Sequence, residues 1–287
     1  MDFFDLLKMV GGLALFLYGM NLMSDGLQKV AGQKMRDVLE KLTKSSIMGL
    51  LLGIIFTGII QSSNATTVLV VSFVNSGIMK LSQSVGVIMG ANIGTTVTGQ
   101  LISFKLDAIA PFFIIAGVIL VMFIKKPMAK RIGEVVLGFG ILFFGMSTLS
   151  SSVKHLNQFA AVKTLFGSVT NPFLAVLIGF VLTSILQSAS ASVGILIVLA
   201  SSGLIHPDIC YYIIMGCDIG ACGSAVLSSL GGNKDAKRAA LIHLSFNMIG
   251  TVIVMILLAV AGNPIRSAIP VSDTHLRAHE TSQDLVC

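Results

Sequence analysis

Gln61-Ser62-Ser63-Asn64-Ala65-Thr66-Thr67 puts six polar side chains into seven positions, in the middle of an uncharged stretch that runs from Ser45 to Met79. A soluble core does not run that long without a charge, and a plain membrane span does not gather Gln, Ser, Ser and Asn at its midpoint. In hydrocarbon each unpaired polar group costs several kcal/mol, so the cluster persists only where it is buried against protein or lines a wet cavity. A second cluster, Gln187-Ser188-Ala189-Ser190, sits inside a second uncharged stretch, Thr164 to Ile205.

Working outward, each cluster is flanked by apolar arms of 10 to 16 residues. As helix that is roughly 15–24 Å, too short to cross a hydrocarbon core of about 30 Å alone. A re-entrant helical hairpin fits each segment, and so does one broken span. The two segments belong to an internal repeat with a constant offset of 126 residues. Gly12 matches Gly138, Gly19-Met20 matches Gly145-Met146, Ser24 matches Ser150, and Gly53 matches Gly179. Thr57 matches Thr183, Gln61-Ser62 matches Gln187-Ser188, Gly77 matches Gly203, and Ile93-Gly94 matches Ile219-Gly220.

The rest of the chain reads as membrane protein. Its 287 residues are 54% hydrophobic and 11% charged, with a mean hydropathy of +0.92, whereas ordinary globular domains carry about 25% charged residues. Spans are expected at Phe3–Met23, Leu81–Phe104, Ala108–Ile124, Glu134–Leu149, Cys210–Leu227 and Ala239–Ala261, with an interfacial amphipathic helix over residues 25–44. Ser45 or Ser46 is an expected N-cap, and Asn171-Pro172 opens the second hairpin. The basic residues behind the net charge of +6 sit in short loops, so they read as topology signals and not as a nucleic-acid surface. Met1 to Lys8 has no basic n-region and no A-x-A-like site, so the first apolar run is expected to stay in the protein.

Loop charges choose between hairpin and span. If both polar-centred segments are re-entrant, residues 25–44, Lys80, 125–131 and 234–238 share one side, which then holds 13 of the 19 Lys and Arg. If both cross, the division falls to 11 against 8. The re-entrant arrangement obeys the positive-inside rule better. It also leaves three spans per repeat, and an odd number inverts the second repeat. The expected fold is therefore an all-α polytopic membrane protein with an inverted repeat, about six spans and two re-entrant helical hairpins. The first repeat takes residues 1–130 and the second 131–270. Ser272 to Cys287 turns abruptly polar and reads as a non-native tail (271–287), with truncation expected near Pro270.

At a hairpin tip the second arm offers N-terminal amides and the positive end of its dipole, which suit an oxyanion. The first arm offers free carbonyls, which with Gln and Thr oxygens suit Na⁺. No Lys or Arg lies in either stretch, so an anion's charge there is offset by dipoles and co-bound cations. Gly90-Ala91-Asn92-Ile93-Gly94-Thr95-Thr96 is matched by Gly216 through Cys222, and the Gly permits close backbone approach or an unwound turn. Asp218 is the lone acid of its uncharged span. It reads equally as a cation ligand or proton carrier, or as a residue paired with a basic group by the cytoplasmic loop. His243 and Asn247 share a helix face, with His243 reading as structural. Cys210, Cys217 and Cys222 have neither redox-motif nor zinc-ligand spacing and read as small packing residues. No hydrolase, P-loop or metalloprotease motif occurs, so an enzyme is not expected.

The paired Gln-Ser tips, the Ala-Thr-Thr-Val after the first, the Gly-Ala-Asn-Ile-Gly-Thr-Thr segment, and the run Asn233 to Asn247 resemble the type II sodium-dependent phosphate cotransporters, bacterial members included. The resemblance covers about residues 9 to 265. It implies Na⁺-coupled symport of inorganic phosphate by alternating access, with the substrate between the tips. Gln61, Ser62, Ser63, Gln187, Ser188 and Ser190 match the motif; Asn64 stands where the first motif has Ser, Ala189 where the second often has Ser, and Asp218 where Asn is usual. The substrate candidates are Gln61, Ser62, Ser63, Asn64, Gln187, Ser188 and Ser190. The Na⁺ candidates are Gln61, Thr66, Thr67, Asn92, Thr95, Thr96, Gln187, Ser192 and Asp218. The expected partners are phosphate, Na⁺ and the lipid bilayer, with no nucleic acid and no cofactor beyond the coupling ion. A PhoU-type regulatory domain or protein is expected beyond this chain. The expected location is the plasma (inner) membrane, with loops 25–44, 125–131 and 234–238 cytoplasmic. The alternatives are a non-transporting phosphate sensor or anchor and a symporter of another oxyanion.

Overall fold

The computed structural model describes residues 3–43, 45–104, 106–156, 159 and 169–268. These form α1 (Phe3–Leu42), α2 (Ser46–Ile60), α3 (Ser63–Asn75), α4 (Leu81–Ser103), α5 (Ala110–Phe123), α6 (Pro127–Leu156), α7 (Pro172–Leu186), α8 (Ala189–Ser201), α9 (Pro207–Ser229) and α10 (Lys234–Ala268). No strand occurs among the described residues. Five helical stretches are long and apolar enough to cross a membrane: Phe4–Ala31, Leu81–Ser103, Pro127–His155, Pro207–Ser229 and Lys234–Val260. Large apolar side chains such as Phe112, Phe123, Phe173 and Ile185 face outward, as lipid demands. The protein is an all-α polytopic membrane protein.

The local chemistry accounts for the helix ends. Ser45 caps α2 by accepting from the Met48 amide at 3.3 Å, and Asn171 caps α7 by accepting from Phe173 at 2.9 Å. Pro172 and Pro207 open α7 and α9 where a missing N–H costs nothing. Gly77 and Gly203, both at φ 74, turn the chain after α3 and α8.

One expectation is corrected. Residues 25–42 are not a separate interfacial helix; they continue α1 without a break. Nothing between Met23 and Asp25 stops a helix, and Gly26 is held in it by close packing on Val135 and the Arg131 carbonyl of α6. The sixth expected span is the shortest and runs back along α6, with Gly117 on Leu137 and Gly140 on Ile114. A 3-10 turn, Asp107–Ile109, precedes an α5 of 14 residues, about 21 Å. The glycines of α4 and α9 do not unwind these helices, which stay regular; the glycines serve close approach. Residues 157, 158, 160–168 and the expected tail, 271–287, lie outside the described residues.

Packing runs through glycine. On α2 and α4 the contact numbers rise together: Gly86 meets Ser46 and Leu50, Gly90 meets Leu50 and Ile54, and Gly94 meets Ile54 and Gly58. The two helices are therefore parallel, and α3 between them must run back. Residues 45–79 form a hairpin, not a continuous span. The pair α7 and α9 repeats the pattern, with Gly216 on Val176 and Phe180 and Gly220 on Phe180 and Ser184. On α1 and α6 the numbers move oppositely: Gly12 meets Gly145 and Leu149, Gly19 meets Gly138 and Leu142, and Gly26 meets Arg131 and Val135. These helices are antiparallel. The bounds of α2, α3 and α4 recur in α7, α8 and α9 at an offset of 126 residues.

The chain divides into a unit of residues 1–247 and a unit from Met248 onward. The first holds α1 to α9 and the start of α10. Its buried apolar clusters center on Phe56, Ile60, Val70 and Val87, and on Phe16, Leu142 and Phe143. The second carries the rest of α10, an apolar helix through Ala268.

Candidate functional site

Each tip is built by one sharp change of backbone. Gln61 ends α2 in the left-handed region at φ 59, and Gln187 ends α7 at φ 53. Among the described residues these two are the only non-glycines with positive φ. Such a conformation costs on the order of 1–3 kcal/mol and tends to mark functional sites. The next residue is extended in both tips and caps the returning arm. Ser62 Oγ accepts from the Ala65 amide at 3.2 Å and Ser188 Oγ from the Ala191 amide at 3.2 Å. A hydroxyl that accepts this way keeps its own proton for another acceptor.

Buried hydroxyls lock the arms together below each tip. Thr57 and Thr66 share a hydrogen bond of 2.8 Å, and Thr183 donates to Ser192 at 2.7 Å. Residues nine apart in a straight helix are about 13.5 Å apart along its axis, so these bonds require the fold-back. Thr66 also donates to the Ser62 carbonyl at 2.9 Å, Thr67 to the Asn64 carbonyl at 3.2 Å, and Ser192 to the Ser188 carbonyl at 3.1 Å.

The two tips meet. Asn64 Nδ2 donates to the Gln187 carbonyl at 2.6 Å. Together with α1 they enclose a cavity of about 90 Å³, lined by Gln61, Ser62, Ser63, Asn64, Gln187, Ser188, Ala189 and Ser190, and by Met20, Asn21 and Ser24. Drug-sized pockets run to several hundred Å³, so this space suits a small ion with its water. The N-termini of α3 and α8 both open on it, each carrying roughly half a positive charge. No Lys or Arg lines it. The Gln61 amide nitrogen folds back onto the Gly58 carbonyl, and Gln187 Nε2 donates to the Ser184 carbonyl at 2.6 Å. Gln61 Oε1 is left buried with no partner among the described residues. A buried amide oxygen without a donor is a ready ligand for a hard cation.

All seven substrate candidates line this cavity. The further Na⁺ candidates do not: Thr66, Thr67 and Ser192 are fully buried within the hairpins, and Thr95 and Thr96 donate to their own helix at Ala91 and Ile93. Asn92 belongs to a second polar cluster. Its Nδ2 donates to Asn247 Oδ1 at 2.7 Å, and its Oδ1 lies 3.3 Å from His243 Nε2. Asn247 Nδ2 in turn donates to the Asp218 carbonyl at 3.1 Å, so Asn247 joins the two repeat-equivalent positions 92 and 218. The Asp218 side chain is exposed, and among the described residues its carboxylate has no ion-pair partner. Sequence reasoning missed Met20, Asn21 and Ser24. The available signal was Asn21 and Ser24 at i, i+3 on one face of an apolar helix; Ser24 Oγ donates to the Ile60 carbonyl at 3.1 Å, at the end of the first arm.

The model of one family, described as Na⁺/Pi-cotransporter, matches the chain twice, over residues 15–151 and 144–269. The uncharacterized protein YqeW of Bacillus subtilis (strain 168) is 34% identical over 249 residues, 86% of this chain and 80% of that protein. The putative inorganic phosphate export protein YjbB of Escherichia coli (strain K12) is 30% identical over 251 residues, 87% of this chain but 46% of YjbB, so the chain spans less than half of that relative. The sodium-dependent phosphate transport protein 2A of Rattus norvegicus is 34% identical over 97 residues, 33% of this chain and 15% of that protein. No solved structure matches significantly. Two matches to one model, together covering both Gln-Ser tips, identify the chain as a member of the Na⁺/Pi-cotransporter family.

Proposed function

We propose that the protein carries inorganic phosphate across the plasma membrane, coupled to Na⁺, by alternating access at the cavity between the two tips. The observation that carries this reading is the convergence of two capped helix N-termini on a small polar space with no fixed cation. Hydroxyls and amides meet the oxyanion, while Gln61 Oε1 and the carbonyls left free at the ends of α2 and α7 meet Na⁺. The absence of a lining Lys or Arg makes co-bound cations the means of neutralising the anion.

The antiparallel contact of α1 with α6 supports an inverted repeat, since these helices are repeat equivalents. So does the end at which α4 and α9 lie. Asn233, just past α9, bonds to Asn75 at 2.8 Å, beside the start of α4. The same end gathers the basic segments: Lys29 pairs with Glu134 at 2.8 Å, Arg131 donates to the Lys29 carbonyl at 3.0 Å, and the Gln83 amide donates to the Thr43 carbonyl. That end is cytoplasmic in this reading, and a PhoU-type regulator would act there.

Reconstituted protein is expected to move ³²P-phosphate in proportion to an imposed Na⁺ gradient, and the sign of the flux gives its direction. Flux indifferent to Na⁺ overturns the coupling. Binding without flux points instead to a sensor, and competition by sulfate equal to that by phosphate points to a broader oxyanion carrier.

A further inference from the structure

Asn64 and Ser190 are repeat equivalents, each the second residue of its helix, α3 or α8, yet they do different work. The Asn64 amide crosses to the other tip and donates to the Gln187 carbonyl at 2.6 Å. Ser190 is 7% exposed, and among the described residues no matching bond runs from it to the Gln61 carbonyl. The hydroxyl is shorter than the carboxamide and lacks its reach. The link between the tips is therefore one-sided.

The acceptor has a specific character. Gln187 is the residue that ends α7 in the left-handed region, and its carbonyl is one of the acceptors a helix leaves unpaired at its C-terminus. The negative end of the helix dipole gathers there, roughly half an elementary charge. Terminal carbonyls of broken membrane helices are oxygen ligands suited to Na⁺. Here that oxygen is already occupied by an N–H carrying partial positive charge, supplied from the first turn of α3, where the dipole's positive end lies.

We infer that the Asn64 amide stands in for a coupling cation: it neutralises the end of α7 and latches the first tip to the second, so the second tip holds one cation fewer than its carbonyls would otherwise take. The inference rests on the proposed Na⁺-coupled transport. It makes Asn64 a determinant of cation count as well as a lining residue, and it locates the asymmetry between the two tips in one side chain. Parting the tips during transport must break this bond, so it also sets how readily they separate.

The test replaces the donor. In Asn64→Asp a carboxylate oxygen faces the Gln187 carbonyl, and the two oxygens stay together only with a cation, or at low pH a proton, bridging them, so the comparison is made at alkaline pH. In Asn64→Ser the carbonyl is left free. Purified wild type and both variants are compared for thermal unfolding in Na⁺ against choline, and for ³²P-phosphate flux as a function of Na⁺. The expected result is a larger Na⁺-dependent rise in unfolding temperature for Asn64→Asp than for wild type. Where flux persists, its logarithmic slope against Na⁺ should rise by about one for each bound ion gained. Equal Na⁺ responses in all three proteins overturn the inference, as does loss of flux in the variants with an unchanged Na⁺ effect on unfolding. If wild type shows no Na⁺ response while Asn64→Asp acquires one, the latch stands and the proposed Na⁺ coupling of the native protein falls.

Discussion

Gln61 and Gln187 hold left-handed backbone that glycine would hold with less strain, so the side chain must repay the cost. Replacing Gln61 by Gly removes strain of about 1 kcal/mol together with the amide. We expect Gln61→Gly, and likewise Gln187→Gly, to raise or preserve the unfolding temperature in detergent while phosphate flux is lost. Gln61→Ala should lose flux without the gain in stability. A Gly variant that transports at the wild-type rate separates Gln61 from the site, and one that unfolds earlier refutes the strain. Much of this site was legible in the chain: a Gln-Ser pair in hydrocarbon, found again 126 residues on, has no cheap explanation outside a polar cavity. The hydroxyls of Thr66, Thr67 and Ser192 were not legible. Composition says that a hydroxyl is present, but only the folded hairpin shows it spent on a neighboring carbonyl or hydroxyl. Asn21 and Ser24 were not placed in the site because polar residues toward the end of an apolar run look like the approach to an interface.

At the scale of elements, glycine decides which helices lie together. A Cβ at Gly86 would run into the Ser46 carbonyl oxygen and one at Gly90 into that of Leu50; at Gly179 and Gly216 the obstacles are the Ile213 and Val176 carbonyls. These are backbone atoms and cannot swing aside. Gly86→Ala and Gly216→Ala should therefore each destabilise the protein by about 1–3 kcal/mol, read as a lower unfolding temperature. Gly11→Ala, where nothing lies within 4 Å, should be neutral or slightly stabilising through helix propensity. Equal behavior of the three would mean that the α2–α4 and α7–α9 contacts do not carry stability. The arms and their turns were readable in advance because Ser45, Asn171, Gly77 and Gly203 punctuate the chain with local chemistry. The continuity of α1 was not. Charged residues after Met23 signal departure from hydrocarbon, but leaving the membrane does not end a helix: α1 packs on α6 at Gly26 and continues to Leu42.

For the whole molecule the decisive question is whether the repeats run the same way or opposite ways. Lys80 and His206 pose it directly, since both are N-caps, of α4 and α9, and they stand 126 residues apart in the chain. A parallel repeat puts them on one side of the membrane; an inverted repeat puts them on opposite sides. One contact and one helix length favor opposition. α9 ends beside Asn75, five residues before the N-cap of α4 at Lys80, through two bonds from Asn233. α9 has 23 residues, about 35 Å of helix, enough to carry His206 across a hydrocarbon core of about 30 Å. The charges agree, because Lys80 lies with the basic segments and His206 does not. With the native cysteines replaced, Lys80→Cys and His206→Cys are each tested in intact cells with a membrane-impermeant maleimide. His206→Cys should label directly and Lys80→Cys only after permeabilisation. Labelling of both from one side would refute the inversion, and with it an alternating-access cycle built on two opposed hairpins. The reverse pattern, Lys80→Cys labelling from outside, would keep the inversion and overturn the cytoplasmic assignment of the basic end.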